Sequence, residues 1–309
     1  MQRPAEMLSP SVARVRGYWP IDIVLLVYLA WTTVLLFVSP LTCPARTELT
    51  IVQLVLLVGV ALLRLVPRTG QSFVRVVRAW YPVLVLIYFY QTVQYLNRLV
   101  TSAYFDEQIV ALEQALFGGQ PSQNMLTTLP FRLLSEFLHF SYFVYIPMFA
   151  AVALFIYLRR KKEEFRVFTT SVLTTFFLCY TVFTIFPVQG PFHHFGPIDP
   201  KITGAVFANA VHWMLSGASS LGSAFPSSHV AAATCIWMVS RRSLGRLSWI
   251  VMVIAFGILL GTVYGGFHYA IDAIVGLIIG LGMGWLGPRL HRAMVGRGLT
   301  ETVSVSPAN

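Results

Sequence analysis

The sequence predicts an all-α polytopic membrane protein, and three observations point to that fold class. Hydrophobic residues make up 56% of the 309-residue chain and charged residues only 11%, whereas a soluble domain carries about 25% charged residues. Eight apolar runs approach the ~20 residues with which an α-helix crosses a bilayer. Basic residues are dense in every second hydrophilic segment and sparse in the others. We therefore expect about eight transmembrane helices.

The apolar runs follow one another along most of the chain. They cover roughly 19–39, 49–67, 79–99, 135–158, 167–187, 226–240, 247–265 and 267–287. The first run is too long for the core of a signal peptide, and no small-x-small cleavage site follows it. We expect it to remain as a signal anchor.

The distribution of Lys and Arg predicts the orientation of these helices. Eighteen of the 22 basic residues fall in one set of alternate segments, which includes both termini. Cytoplasmic loops carry such an excess, so both termini are expected in the cytoplasm. The other set holds Arg46, Arg98, Arg132 and Lys201. The same bias explains the net charge of +10 without nucleic acid. The three cysteines form neither a disulfide framework nor a metal-ligand pattern.

Two outer segments are long enough to contribute to a site. Residues 106–117 (DEQIVALEQALF) place Ile109, Leu112, Leu116 and Phe117 on one side, which suits a helix lying on the membrane surface. Residues 186–200 (FPVQGPFHHFGPIDP) contain four prolines, which exclude a continuous helix.

The histidines share one predicted side of the membrane. Six of the seven lie at outer span ends or in outer loops: His139, His193, His194, His212, His229 and His268. A lone histidine at a helix end is usually structural. This asymmetry in so apolar a chain favours a polar site at the outer face.

The stretch Gly222–Val230 (GSAFPSSHV) opens the sixth run. Pro226 suits the first position of a helix, and Ser227 and Ser228 can bond the free N–H groups of its first turn. Such an N-terminus attracts phosphate, and His229 stands beside it. An ordinary helix start with a headgroup-facing histidine explains this stretch equally well when it is taken alone.

A second polar pair favours the functional interpretation. His268 and Asp272 lie four residues apart, on one face of the eighth helix, and an Asp near hydrocarbon needs a partner. Alternation of spans carries His229 and His268 to the same face.

Glycines at every fourth position suggest that spans six to eight pack closely; they are Gly257, Gly261, Gly265, Gly276, Gly280 and Gly284.

At these residues the chain resembles the type 2 phosphatidic acid phosphatase superfamily. The family motif Pro-Ser-Gly-His is similar to residues 226–229 (PSSH), and the family motif His-x-x-x-Asp is similar to 268–272 (HYAID). The family's Lys-x6-Arg-Pro motif has no match before Pro191, and Gly261-Thr262 stands where its Ser-Arg pair falls. The branch with inositol phosphorylceramide and sphingomyelin synthases, which resembles this chain at the same string, can also lack these cations.

The resemblance implies an integral-membrane phosphoryl transfer through a phosphohistidine, without metal or cofactor. His268 would be the nucleophile, Asp272 would orient it, and His229 would be the general acid and base. The expected substrate is a phospholipid, or a polyprenyl or sphingolipid phosphate, and the acceptor is water or another alcohol. A non-catalytic lipid transporter is the alternative of a different class. Candidates for holding the phosphate are Ser227, Ser228, His193, His194, Lys201 and Tyr264.

The resemblance also implies a division of the chain. Residues 1–134 would form N-terminal transmembrane helices with the outer amphipathic segment. Residues 135–290 would form the catalytic core, of the six-helix phosphatase type. Residues 291–309 would be a cytoplasmic tail. The active site is expected on the extracytoplasmic side of the plasma membrane, or of the inner membrane in a bacterium.

Overall fold

The computed structural model describes residues 17–66, 72–196, 206–218 and 220–296. Within these ranges the chain is helical and has no β-strand, only an isolated bridge between Val188 and Ser223. The predicted all-α fold class is therefore confirmed.

Thirteen α-helices occur within the described ranges, together with short 3-10 turns at Leu63–Leu65 and Gly245–Leu247. The α-helices are α1 Pro20–Val38, α2 Arg46–Leu62, α3 Ser72–Leu96, α4 Asp106–Phe117, α5 Pro121–Thr128, α6 Arg132–Phe143, α7 Tyr145–Leu158, α8 Lys162–Ile185, α9 Pro191–His194, α10 Val206–Ala218, α11 Ser228–Leu244, α12 Ser248–Tyr264 and α13 Ala270–Gly296. Helix α8 packs against five other helices: α1, α3, α7, α11 and α13.

Among the described residues, six helical stretches are long and apolar enough to cross a membrane, or seven if α6 and α7, bent by 53°, form one span. One of the six is the stretch 228–264, which contains both α11 and α12. These two helices run in opposite directions, because His229 at the start of α11 meets His268 just after the end of α12. Each has 17 residues and is therefore about 25 Å long. The number of membrane crossings stays a prediction.

Helices α11 and α13 run parallel at very close range. A Cβ atom on Gly276 would lie 2.5 Å from the carbonyl oxygen of Ser227, and one on Gly280 would lie 2.5 Å from that of Ala231. Only glycine permits this approach at both positions. The expected glycine contact is therefore present between α11 and α13.

The glycines of α12 have a different neighbour from the one expected. A Cβ on Gly257 would meet Ser141, and one on Gly261 would meet the backbone of Leu138. Both contacts belong to α6, so the glycines of α12 make their closest contacts with α6, while α12 also packs against α11. Helix α6 is thereby held beside the site.

The end of the bundle opposite His229 and His268 carries charged side chains. Ser243 at the end of α11 donates to Glu164 at the start of α8, and a buried ion pair of 2.6 Å joins Arg78 to Asp22. Arg166 lies over the ring of Trp19, just before α1. The basic residues therefore gather away from His229. Which membrane side each end faces stays a prediction.

Candidate active site

The structure brings His229 and His268 together. Nε2 of His268 lies 3.4 Å from Nδ1 of His229. Ser227 caps α11 by accepting the N–H of Val230 at 3.4 Å, and its own N–H donates to the carbonyl of Asp272 at 3.0 Å. The two helix starts are thus bonded to each other. Ser227 has the expected capping role, although α11 begins two residues after Pro226.

Asp272 completes the group. It is fully buried, and its Oδ2 accepts the N–H of Tyr269 at 2.9 Å. The same oxygen lies 3.5 Å from Nδ1 of His268. That distance exceeds an ordinary N–H···O bond, and such bonds in empty active sites commonly tighten on binding. A carboxylate oxygen only accepts, so a hydrogen bond formed when this contact shortens places the proton on Nδ1 of His268 and leaves the lone pair on Nε2.

Two tyrosines surround His229. The ring of Tyr142 stacks on the imidazole with centroids 4.9 Å apart, and its hydroxyl lies 3.4 Å from Nε2. The ring of Tyr145 packs at the same centroid distance. These contacts fix the plane of the imidazole while its Nδ1 edge faces His268.

Helix α4 supplies two carboxylates that support the site. Asp106 accepts the N–H groups of Gln189 and Gly190, each at 2.9 Å, and the hydroxyl of Tyr269 at 3.1 Å. Glu113 accepts the N–H of Ile271 at 3.1 Å, in the first turn of α13. Burial raises the pKa of Glu113 above its ordinary value, although that backbone bond opposes the rise.

This packing changes the interpretation of α4. Asp106, Ile109 and Glu113 are buried against the start of α13 and the loop before α9. Leu112, Leu116 and Phe117 of the expected apolar face remain exposed. The helix is therefore docked into the protein through a mixed face, and does not simply rest on a lipid surface.

The candidates for holding phosphate have different outcomes. Ser227 and Ser228 are buried at the start of α11, beside His229. His194 lies 3.7 Å from the exposed Glu107, and burial lowers the pKa of His193 while Asp106 opposes that effect. Lys201 lies outside the described residues. Tyr264 is buried with Leu126 and Leu138, and its hydroxyl donates to the Leu129 carbonyl at 2.9 Å, so these contacts do not support substrate binding.

The charge of the site differs from that of a cation-rich phosphate site. In the part of the chain that the structure describes, the hydrogen bonds and ion pairs of His229, His268 and Asp272 involve no Lys or Arg side chain. No three His, Cys, Asp or Glu residues within the same ranges form a group that could hold a metal ion.

A membrane-type helical bundle with a His–His–Asp group, in which His268 and Asp272 are buried, is thus in place, and the comparisons identify its family. The family model described as PAP2 superfamily matches residues 107–286, more than half of the chain. The chain belongs to the PAP2 superfamily. It is also similar to a PA-phosphatase related-family protein of Dictyostelium discoideum, with 27% identity over 121 residues. That match covers 37% of this chain and 22% of the relative's length. No solved structure gives a significant match.

Sequence reasoning missed several residues around the triad. Asp106 and Glu113 share a helical stripe with Ile109, at offsets of three and seven, and this pattern could have indicated that the stripe is buried. Tyr142 and Tyr145 carry no comparable signal, because aromatic residues are common throughout the spans. Their role depends on how α6 and α7 pack against α11.

Proposed function

We propose that this protein catalyses metal-independent phosphoryl transfer on lipid phosphates or phospholipid headgroups through a phosphohistidine. The observation that carries the proposal is the arrangement of three side chains. Nε2 of His268 faces His229 at 3.4 Å, while its Nδ1 faces Asp272 at 3.5 Å. A nucleophile, an acid–base group and an orienting carboxylate in contact are the parts that nucleophilic catalysis needs.

The first half-reaction forms an N–P bond. The lone pair on Nε2 of His268 attacks phosphorus, and the bond from phosphorus to the leaving oxygen breaks. His229 donates a proton to that oxygen, which departs as an alcohol. Asp272 holds the Nδ1 proton and stabilises the positive charge of the phosphorylated imidazole.

The second half-reaction reverses these roles. His229 removes a proton from water or from an acceptor alcohol, whose oxygen attacks phosphorus as the N–P bond breaks. The N–H groups at the start of α11, after Ser227, are suited to bind the phosphate oxygens. General acid–base catalysis of this kind contributes about 10²–10⁴-fold.

The charge of the site affects which class of phosphate ester it can bind. A phosphomonoester dianion needs more compensating positive charge in a low-dielectric site than a phosphodiester monoanion does. The lack of Lys and Arg contacts to the triad among the described residues therefore favours diester donors. A headgroup transferase similar to inositol phosphorylceramide synthase is the specific form of this proposal.

The decisive experiment is an assay of the purified protein with ³²P-labelled phosphatidate and phosphatidylinositol. Each donor is supplied alone and with ceramide as the acceptor alcohol. Acid-labile ³²P on the protein, lost in His268→Ala, supports the covalent step, and label in a new lipid supports transfer. Lipid binding without any turnover or protein labelling would contradict catalysis and leave a transporter or binding protein.

The extracytoplasmic location is a separate part of the proposal. In a Cys43→Ser background, Phe195→Cys should react with an impermeant thiol reagent added to intact cells, and Arg242→Cys should not. Phe195 is 43% exposed beside the histidine end, and Arg242 is exposed at the opposite end. The reverse pattern would place the active site in the cytoplasm.

A further inference from the structure

A second pair of histidines lies beside the triad. His139 on α6 and His212 on α10 have ring centroids 6.2 Å apart. Each has a buried Nε2 for which the described part of the chain provides no hydrogen-bond partner. His139 is only 1% exposed. An unpartnered polar atom at such depth is unfavourable. A ligand that forms hydrogen bonds to the two Nε2 atoms would remove this cost.

The tautomer of His139 follows from its other nitrogen. Nδ1 lies 2.7 Å from the carbonyl oxygen of Ser135, which can only accept. Nδ1 therefore carries the proton, and in the neutral imidazole Nε2 is left as an acceptor. A deprotonated phosphate oxygen or a carbonyl cannot donate a hydrogen bond to this Nε2, whereas a hydroxyl group can.

His212 is compatible with the same ligand. Burial lowers the pKa of His212 below its ordinary value, which keeps its ring neutral near pH 7. A hydroxyl both donates and accepts, so one alcohol group can bond to either tautomer of this imidazole while another donates to His139. A fixed charge would be poorly compensated between two neutral rings.

The pair connects to the reaction centre through two aromatic rings. Phe267, next to the nucleophile in sequence, has its ring centroid 5.8 Å from both His139 and His212. The same ring lies 4.8 Å from Tyr142, whose hydroxyl lies 3.4 Å from His229. The second pair is therefore one aromatic layer from the acid–base histidine.

We infer that His139 and His212 form a subsite that binds alcohol hydroxyls of a substrate. The inference rests on the proposed function and deepens it. The hydroxyl can belong to the headgroup of the donor lipid or to the acceptor alcohol, since both must reach His229. The shared chemistry is an uncharged hydroxyl presented at the α6–α10 side of the site.

A matched pair of substitutions isolates the Nε2 atoms. The amide of Asn reaches the position of Nδ1, so His139→Asn keeps the bond to Ser135 and removes the acceptor. The amide of Gln reaches the position of Nε2, so His139→Gln retains a polar group there. The same two substitutions at His212 provide an independent pair on a peripheral helix.

Binding is measured by equilibrium dialysis in detergent on the His268→Ala background, so that the result does not depend on turnover. The probes are phosphatidylinositol, a short-chain ceramide and phosphatidate, which has no headgroup alcohol. The Asn variants should weaken binding of a hydroxyl-bearing probe about threefold to tenfold, as expected for one lost hydrogen bond. The Gln variants should bind more nearly like the parent, and phosphatidate affinity should not change.

The two hydroxyl sources give different results. Weaker binding of phosphatidylinositol assigns the subsite to the donor headgroup, and weaker binding of the short-chain ceramide assigns it to the acceptor. Unchanged binding of both, or an equal loss for phosphatidate, overturns the subsite. A failure of the proposed function is distinguishable, because it abolishes protein labelling by ³²P in the wild type without affecting these affinities.

Discussion

His268 and His291 lie at opposite ends of α13, and their surroundings differ. His291 is fully buried with both ring nitrogens occupied: Nδ1 lies 3.1 Å from the hydroxyl of Thr170, and Nε2 lies 2.9 Å from Glu163. His268 is also buried, but its Nε2 has only a 3.4 Å contact with His229, and its Nδ1, 3.5 Å from Asp272, has no hydrogen-bond partner among the described residues. The ring of His291 is fully hydrogen-bonded by its neighbours, and the ring of His268 is not.

This difference separates a histidine with satisfied hydrogen bonds from the one to which we assign the proposed nucleophilic role. Buried polar groups in proteins are nearly all paired, and His291 follows that rule by joining α13 to α8. His268 departs from it at a place where Asp272, Ser227 and Tyr269 hold the backbone firmly. A well-supported ring with an open nitrogen is suited to attack a substrate.

The largest expected effect comes from substituting the three residues of the proposed catalytic group. His268→Ala, His229→Ala and Asp272→Asn should each reduce turnover strongly, for His229 by about 10²–10⁴-fold. The reason is loss of the nucleophile, of the proton donor or of the orienting charge. Turnover per folded protein is measured in detergent, with size-exclusion elution as the control for folding. Wild-type turnover in any folded variant would contradict the role given to that residue.

The next effect comes from separating the two helices that carry the histidines. Gly276→Ala should push α13 from Ser227, and overpacking of this kind destabilises by about 1–3 kcal/mol. A shift of about 1 Å at the triad can reduce turnover on the order of 10²-fold. Melting temperature and turnover are both measured.

Gly282 provides the matched control on the same helix. A Cβ there meets nothing within 4 Å, so Gly282→Ala should leave both quantities unchanged. Equal behaviour of the two variants would show that the contact between α11 and α13 does not position the histidines.

A smaller effect is expected at the structural end. His291→Ala removes a partner from Thr170 and Glu163 and should lower the free energy of unfolding by about 1–3 kcal/mol. Turnover of the folded fraction should stay near that of the wild type, because the triad lies at the other end of α13. A selective loss of turnover with an unchanged melting temperature would mean that the two ends are coupled in function.

The smallest expected effect is a change in the rate of phosphatidate hydrolysis with pH. Because burial lowers the pKa of His193, this ring becomes positive only below its ordinary value of about 6.5. If His193 contributes charge to the site, phosphatidate hydrolysis should rise as pH falls below that value. Rates across pH 5–8 in wild type and His193→Ala test this. A rise that survives in His193→Ala excludes this histidine as its source.

The fold class and the family of the protein could be predicted from local sequence, and so could the position of its candidate site. Hydrophobic runs long enough for a bilayer are a property of composition, and the family motifs at 226–229 and 268–272 are short strings. Alternation of spans then placed His229 and His268 at one end, because each crossing reverses the chain. The predicted contact between them is present at 3.4 Å.

Tertiary structure decided which polar groups are satisfied and which remain open. Asp106 and Glu113 support the site only because α4 docks against the start of α13, a contact between residues more than 150 positions apart. The glycines of α12 pack against α6 and not against α13, and this too depends on how the helices are arranged in three dimensions. His139 and His291 look alike as isolated histidines in a sequence. Their difference arises from neighbours on other helices, since hydrogen-bond satisfaction depends on spatial packing and leaves no periodic signal in the chain.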